Sequence, residues 1–139
     1  MPTIQIATSD DEIAACFAVM HQLRPHLVSD EFVTRVRDQQ VGGFQLAFLD
    51  DQGVKAVAGY RFIHNLVMGR TIYVDDLVTD SAARSRGYGK RLLDWVITEA
   101  KRHGCQAVTL DSGVQRFDAH RFYLTNRMVI SAHHFTLLL

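Results

Sequence analysis

The chain has 139 residues, 47% of them hydrophobic, enough for one compact domain (1–139) with its own core. Its formal net charge is zero, which argues against nucleic acid as the main partner, because that role leaves a strongly basic footprint. The opening Met-Pro-Thr-Ile-Gln-Ile lacks the charged lead and apolar run of a secretory leader, no apolar stretch approaches the ~20 residues of a membrane span, and the two cysteines, Cys16 and Cys105, suit reduced thiols in a cytoplasmic protein.

Thr3 to Thr8 reads as a short strand. Ser9-Asp-Asp-Glu12 then supplies a helix cap and an acidic first turn. Ile13, Cys16, Phe17, Met20 and Leu23 continue at helical spacing until Pro25 stops the run near Arg24. A second helix is predicted from Ser29 or Asp30, with Phe32, Val33 and Val36 on its apolar face and Gly42-Gly43 at its end. Phe44 to Leu49 is a strand, Asp50-Asp51-Gln52-Gly53 a hairpin turn, and Val54 to Met68 a longer strand with Gly59 as a candidate bulge. Gly69-Arg70 turns the chain into a strand over 71–79. A helix over 87–103 buries Leu92, Leu93, Val96, Ile97 and Ala100, and Gly104 caps it. A strand over 107–112, a helix near 117–127 and a last strand from Val129 to about Leu138 complete the chain. Hairpin-paired strands followed by helix-linked strands predict a mixed α/β sheet.

The chemistry gathers at Arg84-Ser85-Arg86-Gly87-Tyr88-Gly89-Lys90, between the 71–79 strand and the helix that follows. Glycines there let backbone approach an anion, first-turn amides point at it, and the helix dipole favours its charge. A phosphorylated ligand is therefore expected. A Walker A loop is excluded, because Arg84 stands at its first glycine and Arg91 follows Lys90. A dinucleotide fingerprint is excluded by Leu92, three residues after Gly89.

What remains, Arg-x-x-Gly-x-Gly at 84–89, resembles the acetyl-CoA-binding signature of the GNAT N-acetyltransferase superfamily. Val74-Asp-Asp-Leu-Val-Thr79 is similar to that family's central strand, and Ala107-Val-Thr-Leu-Asp-Ser112 to its next strand. Ala119-His-Arg-Phe-Tyr123 is similar to its A-x-x-F-Y helix, and Val19-Met-His-Gln-Leu-Arg-Pro25 to the first helix of some bacterial members. The resemblance spans nearly the whole chain. It implies a mixed, mostly antiparallel central sheet of six to seven strands flanked by about four helices, and a reaction that moves an acetyl group from acetyl-CoA to a primary amine.

On the same resemblance, the pyrophosphate sits on the turn formed by Arg84, Ser85, Arg86, Gly87, Tyr88, Gly89 and Lys90. The pantetheine arm runs beside backbone at Leu77, Val78 and Thr79, with a backbone amide near Val78 facing the oxyanion. Tyr123 matches the family's general acid, which protonates the departing thiolate. Asp75 and Asp76 are adjacent on a strand, so alternation sends their side chains to opposite faces. The resemblance points to Asp75 as the base, acting through water, and leaves Asp76 a structural carboxylate; which of the two faces the acceptor stays open.

Seven histidines do not make a metal site, since His133-His134 face opposite ways on a strand and no H-E-x-x-H or paired-cysteine spacing occurs. His21, His64 and His120 read as ordinary polar packing, with lining of an acceptor pocket as the other option. A catalytically silent acyl-CoA-binding or regulatory module is the alternative function, with Asp75 and Tyr123 serving packing only. The acceptor amine is not specified by the sequence, and a homodimer is an option that family members often take.

Overall fold

The computed structural model describes residues 1–139, which form two compact units, Met1–Thr109 and Leu110–Leu139. The first unit is built on a sheet in which strands neighbour one another in chain order. β1 (Thr3–Ile6), β2 (Phe44–Asp50), β3 (Val54–Asn65) and β4 (Gly69–Thr79) pair antiparallel in succession. β5 (Ala107–Leu110) follows beside β4 after a helical crossover, which makes the sheet mixed. The expected six to seven strands are five.

Helices α1 (Asp10–Ala15), α2 (Phe17–Leu23) and α3 (Ser29–Val41) cover one face. Ile13, Cys16, Met20, Phe32 and Val36 from the helices meet Phe44, Leu46, Phe48, Val57 and Val78 from the sheet in one buried cluster. The first helix starts as its sequence dictates: Ser9 Oγ accepts the Glu12 amide at 3.1 Å, and a Glu12 carboxylate oxygen accepts the Ser9 amide at 3.0 Å. The single helix expected up to Arg24 is broken, however. At Cys16 the amide is accepted by Ile13 one residue early, and the thiol lies 3.4 Å from the Glu12 carbonyl, so α1 ends and α2 begins anew. That break alone turns the four expected helices into five.

α4 (Tyr88–Arg102) covers the opposite face of β2, β3 and β4. Its Leu92, Leu93, Val96 and Ala100 are buried, at roughly 1.5–3 kcal/mol for each fully buried large side chain. Ile97 is only half-buried, and the charged Glu99 is buried next to Ala100 in the last turns. β3 ends at Asn65, short of the expected Met68, because Leu66 and Val67 are solvent-exposed in a turn that the Asn65 side chain holds by accepting the Met68 amide at 3.0 Å.

In the second unit α5 (Phe117–Thr125) ends on Arg127, which adopts a left-handed φ of 70°. The Met128 amide reaches back to the Tyr123 carbonyl and the Arg127 amide to that of Leu124, a Schellman ending that glycine usually makes. No strand forms over Val129 to Leu138. Val129, Ile130, Phe135, Leu137 and Leu138 are all exposed, and an apolar run becomes a strand only where another backbone supplies ladder partners.

Candidate active site

β4 carries the site, and one irregularity shapes it. Gly59 on β3 opposes Asp76, but the next residue, Tyr60, opposes Val74, so Asp75 is an extra residue without a partner. The sequence places a bulge at Gly59; the register does shift there, and the inserted residue lies on the facing strand. A bulge of this kind undoes strict alternation. Asp75 and Asp76 therefore do not face opposite ways: both line one cavity of about 380 Å³, together with Tyr73. Met20, Leu27, Phe32 and Phe44 form its apolar wall.

Gly59 is required here by close approach. A Cβ at this position would stand 2.5 Å from an Asp76 carboxylate oxygen and 2.6 Å from the Phe44 ring. The missing side chain is the space the Asp76 carboxylate uses.

Two arginines hold the acids. Arg24, at the C-terminal end of α2, donates Nε to Asp76 at 2.8 Å and Nη2 to the Asp75 carbonyl at 2.9 Å. The carbonyl freed by the bulge thus finds a partner. Arg61, from β3, grips both Asp75 oxygens, with Nη2 at 2.7 Å and Nε at 3.1 Å, and its Nη2 also reaches Gln39 at 2.8 Å. Burial raises the Asp76 carboxyl above its ordinary value, with Arg24 opposing the shift only in part. Neither arginine was singled out from the sequence. The signal for Arg24 was Pro25, which fixes where the helix ends; Arg61 is marked only by its place two residues past Gly59, on the same strand face.

Beyond the bulge, Leu77, Val78 and Thr79 pair with Ala58, Val57 and Ala56 of β3. On the other side β5 stays close to β4 over only a short stretch, near the Gln106 amide bond to the Arg70 carbonyl at 2.8 Å, at the far end of β4. The edge of β4 at 77–79 is consequently left without a ladder partner on that side.

After β4, Asp80 caps a 3₁₀ turn (Ser81–Ala83) and the chain runs through Arg84 into Ser85 at φ 67° and Gly87 at φ 79°. The left-handed Gly87 leading into the right-handed first turn of α4 turns neighbouring amides to one side, the geometry of an anion nest. No side chain caps α4, and its first internal bond is from the Arg91 amide to the Gly87 carbonyl, so the amides of Tyr88, Gly89 and Lys90 are left over. The left-handed Gly87 is where a side chain would bring strain. Lys90 is paired within its own helix to Asp94 at 2.9 Å, whereas Arg84 is exposed without a partner. Uncapped amides, a nest and an exposed guanidinium fit a pyrophosphate. A covalent route through the buried cysteine is disfavoured, since burial pushes the Cys16 thiol up to about 12.

Residues 7–126 match the Acetyltransferase (GNAT) family. The chain belongs to that family. Its GNAT relatives include the uncharacterized N-acetyltransferase YhdJ of Bacillus subtilis (strain 168), 35% identical over 87% of this chain and 86% of the relative. Aminoalkylphosphonate N-acetyltransferase of Salmonella typhimurium is 26% identical over 89% of this chain and 84% of its own length. Among solved structures, AAC(6')-Iy in complex with a CoA-containing bisubstrate analogue superposes with a TM-score of 0.86, covering 100% of this chain and 98% of that one at 13% identity, a likeness of fold. Tyr123 of this GNAT chain lies on α5 in the second unit, its ring 5.5 Å from that of Phe122. None of the helices is long and apolar enough to cross a membrane.

Proposed function

We propose that this GNAT chain is an N-acetyltransferase that uses acetyl-CoA and a primary amine. One observation carries the reading: β4 presents a cavity lined by Asp75 and Asp76, an unladdered edge at Leu77–Thr79 and, after a short turn, an uncapped anion nest at 84–90. The acceptor side and the phosphate side of a CoA-dependent transfer are served by one strand. Relatives named for acetylating amines support the same direction.

Acetyl-CoA supplies the activated acetyl thioester. The amides of Gly87 to Lys90, with Arg84, Ser85 and Arg86 around them, would hold its pyrophosphate, and the backbone of Leu77, Val78 and Thr79 would line its arm, with an amide near Val78 available to an oxyanion. An ammonium group must lose a proton before it attacks. Of the two acids Asp76 is the better base, because burial has raised its affinity for a proton while Arg61 grips both oxygens of Asp75. Asp75 then serves to fix Arg61 and the bulge. Tyr123, at the position of the family's general acid, returns a proton to the leaving thiolate.

A catalytically silent acyl-CoA-binding module is the second reading, favoured by the Arg61 clamp on Asp75. Release of free CoA thiol with a panel of amines separates the two. Acetyl-CoA alone should raise the melting temperature, by the equivalent of about 2.7 kcal/mol at a hundredfold excess over its dissociation constant. Gly89→Glu should abolish that shift. A shift without thiol release for any amine would establish the silent module; no shift for a folded wild type would remove the cofactor assignment.

A further inference from the structure

We infer that the acceptor amine carries an anionic group of its own, a carboxylate, phosphonate or phosphate a few bonds from the nitrogen, and that Arg35 and His26 receive it. The inference rests on the acetyltransferase reading and narrows its substrate class. The cavity beside β4 looks acidic in sequence, since Asp75 and Asp76 stand together on its floor, and an acidic pocket suggests a polycation. The pairing reverses that expectation.

Each acid already has a guanidinium: Asp75 has Arg61 at 2.7 Å and Asp76 has Arg24 at 2.8 Å. Neither carboxylate is left over to neutralise a second ammonium on the substrate. The wall formed by α3 and the loop before it contributes Arg35 and His26 to the same cavity. Arg35 makes no hydrogen bond or ion pair within the chain, although Gln39, one turn further along α3, is held by Arg61. Both Arg35 and His26 are exposed enough to meet a ligand entering from solvent. The formal charge left unbalanced in the cavity is therefore positive and sits at its rim.

A molecule that matches this distribution has an amine at the buried end, beside Asp76, and an anion at the outer end. A cavity of about 380 Å³ is at the small end of ligand sites, which suits an amino acid or a short aminoalkyl acid; a small diamine is of similar size, so charge and not volume separates the two. A guanidinium–anion bond formed at a partly desolvated rim gives discrimination on the order of tenfold or more against a neutral isostere.

The test compares matched amines of similar length: β-alanine and 2-aminoethylphosphonate, the neutral β-alaninamide, and the diamine putrescine, each assayed by thiol release with acetyl-CoA. Wild type should show kcat/KM at least about tenfold higher for the two acids than for the amide, and higher again than for putrescine. Arg35→Glu should erase that order chiefly through KM and bring putrescine above the acids, while Arg35→Lys should keep part of it. The thermal shift of each variant with acetyl-CoA checks that it is folded. Wild-type preference for putrescine or the amide, or an order unchanged in Arg35→Glu, would overturn the inference and leave the acetyltransferase reading standing. If no amine is turned over, the acetyltransferase reading fails; melting shifts with the amines in the presence of CoA then decide this one, and no advantage for the acids would end it.

Discussion

The Tyr88 hydroxyl donates to an Asp51 carboxylate oxygen at 2.5 Å, joining the first residue of α4 to the turn between β2 and β3. The contact pushes the Tyr88 phenol up, so the proton stays on the tyrosine and the bond keeps one direction. Two segments that a sequence reading treats as separate, a hairpin tip and a phosphate turn, are thereby one structure.

Tyr88→Phe should separate them. The ring remains buried, so the melting temperature should fall only slightly. The nest at 84–90 loses its tether, and affinity for acetyl-CoA should drop several-fold, as for a charge-assisted hydrogen bond weakened by solvent access. Titration calorimetry with CoA reads this directly. An unchanged affinity would mean that Tyr88 anchors the hairpin alone.

Gly59→Ala should damage the site more than the fold. The added methyl would lie 2.5 Å from the Asp76 carboxylate and 2.6 Å from the Phe44 ring, so both must move. Overpacking of this kind costs roughly 1–3 kcal/mol, and turnover should fall further because the displaced group is the proposed base. Gly42→Ala is the control, since its Cβ would meet the Gln39 carbonyl at an ordinary 3.6 Å. Chemical denaturation and acetyl transfer measured on both variants make the comparison. Equal behaviour of the two would show that the Asp76 pocket tolerates repacking.

Local chemistry was legible in the sequence wherever it acts over a few residues. The Ser9–Glu12 box, the amphipathic stripe of α4 and the glycine turn before it are all written within one or two helical turns. The bulge was only half legible. Gly59 signals a close approach, but whether the extra residue falls on β3 or β4 depends on Arg24 arriving from α2 to satisfy the Asp75 carbonyl, 51 residues away. Period-2 alternation therefore sent Asp75 and Asp76 to opposite faces, and the register brought them to one. The run from Val129 to Leu138 misled for the converse reason, since strand-like composition says nothing about whether a ladder partner exists.

Acid should act on this protein partly through Glu12. Its carboxyl is held down at about 2, from an ordinary 4.5, chiefly by the backbone amide of Ser9 and then by that of Thr8. A depressed folded value means stability that is present above the unfolded value and lost as pH falls toward 2. Asp76 runs the other way: burial raises its value, so its contribution is unfavourable at neutral pH and fades as pH falls through its folded value. The difference between wild type and Glu12→Gln isolates the first effect. Melting temperatures should diverge most near neutrality and converge between pH 4.5 and 2. A constant difference across that range would show that the box does not depend on the charge.

Tyr123→Phe removes one oxygen and little else. If the hydroxyl protonates the leaving thiolate, turnover should fall by about 10²–10⁴-fold, as for a lost general acid. The loss should appear in kcat, with acetyl-CoA affinity near wild type, because the proton is needed only as the leaving group gains charge. An acyl donor with a more acidic thiol should shrink the defect, since a better leaving group needs less help. The Tyr123 carbonyl also accepts the Met128 amide in the turn that ends α5, but that bond belongs to the backbone and survives the substitution. Early melting with an intact rate would make Tyr123 a packing residue. Activity and stability both near wild type would move the search for the acid to another side chain.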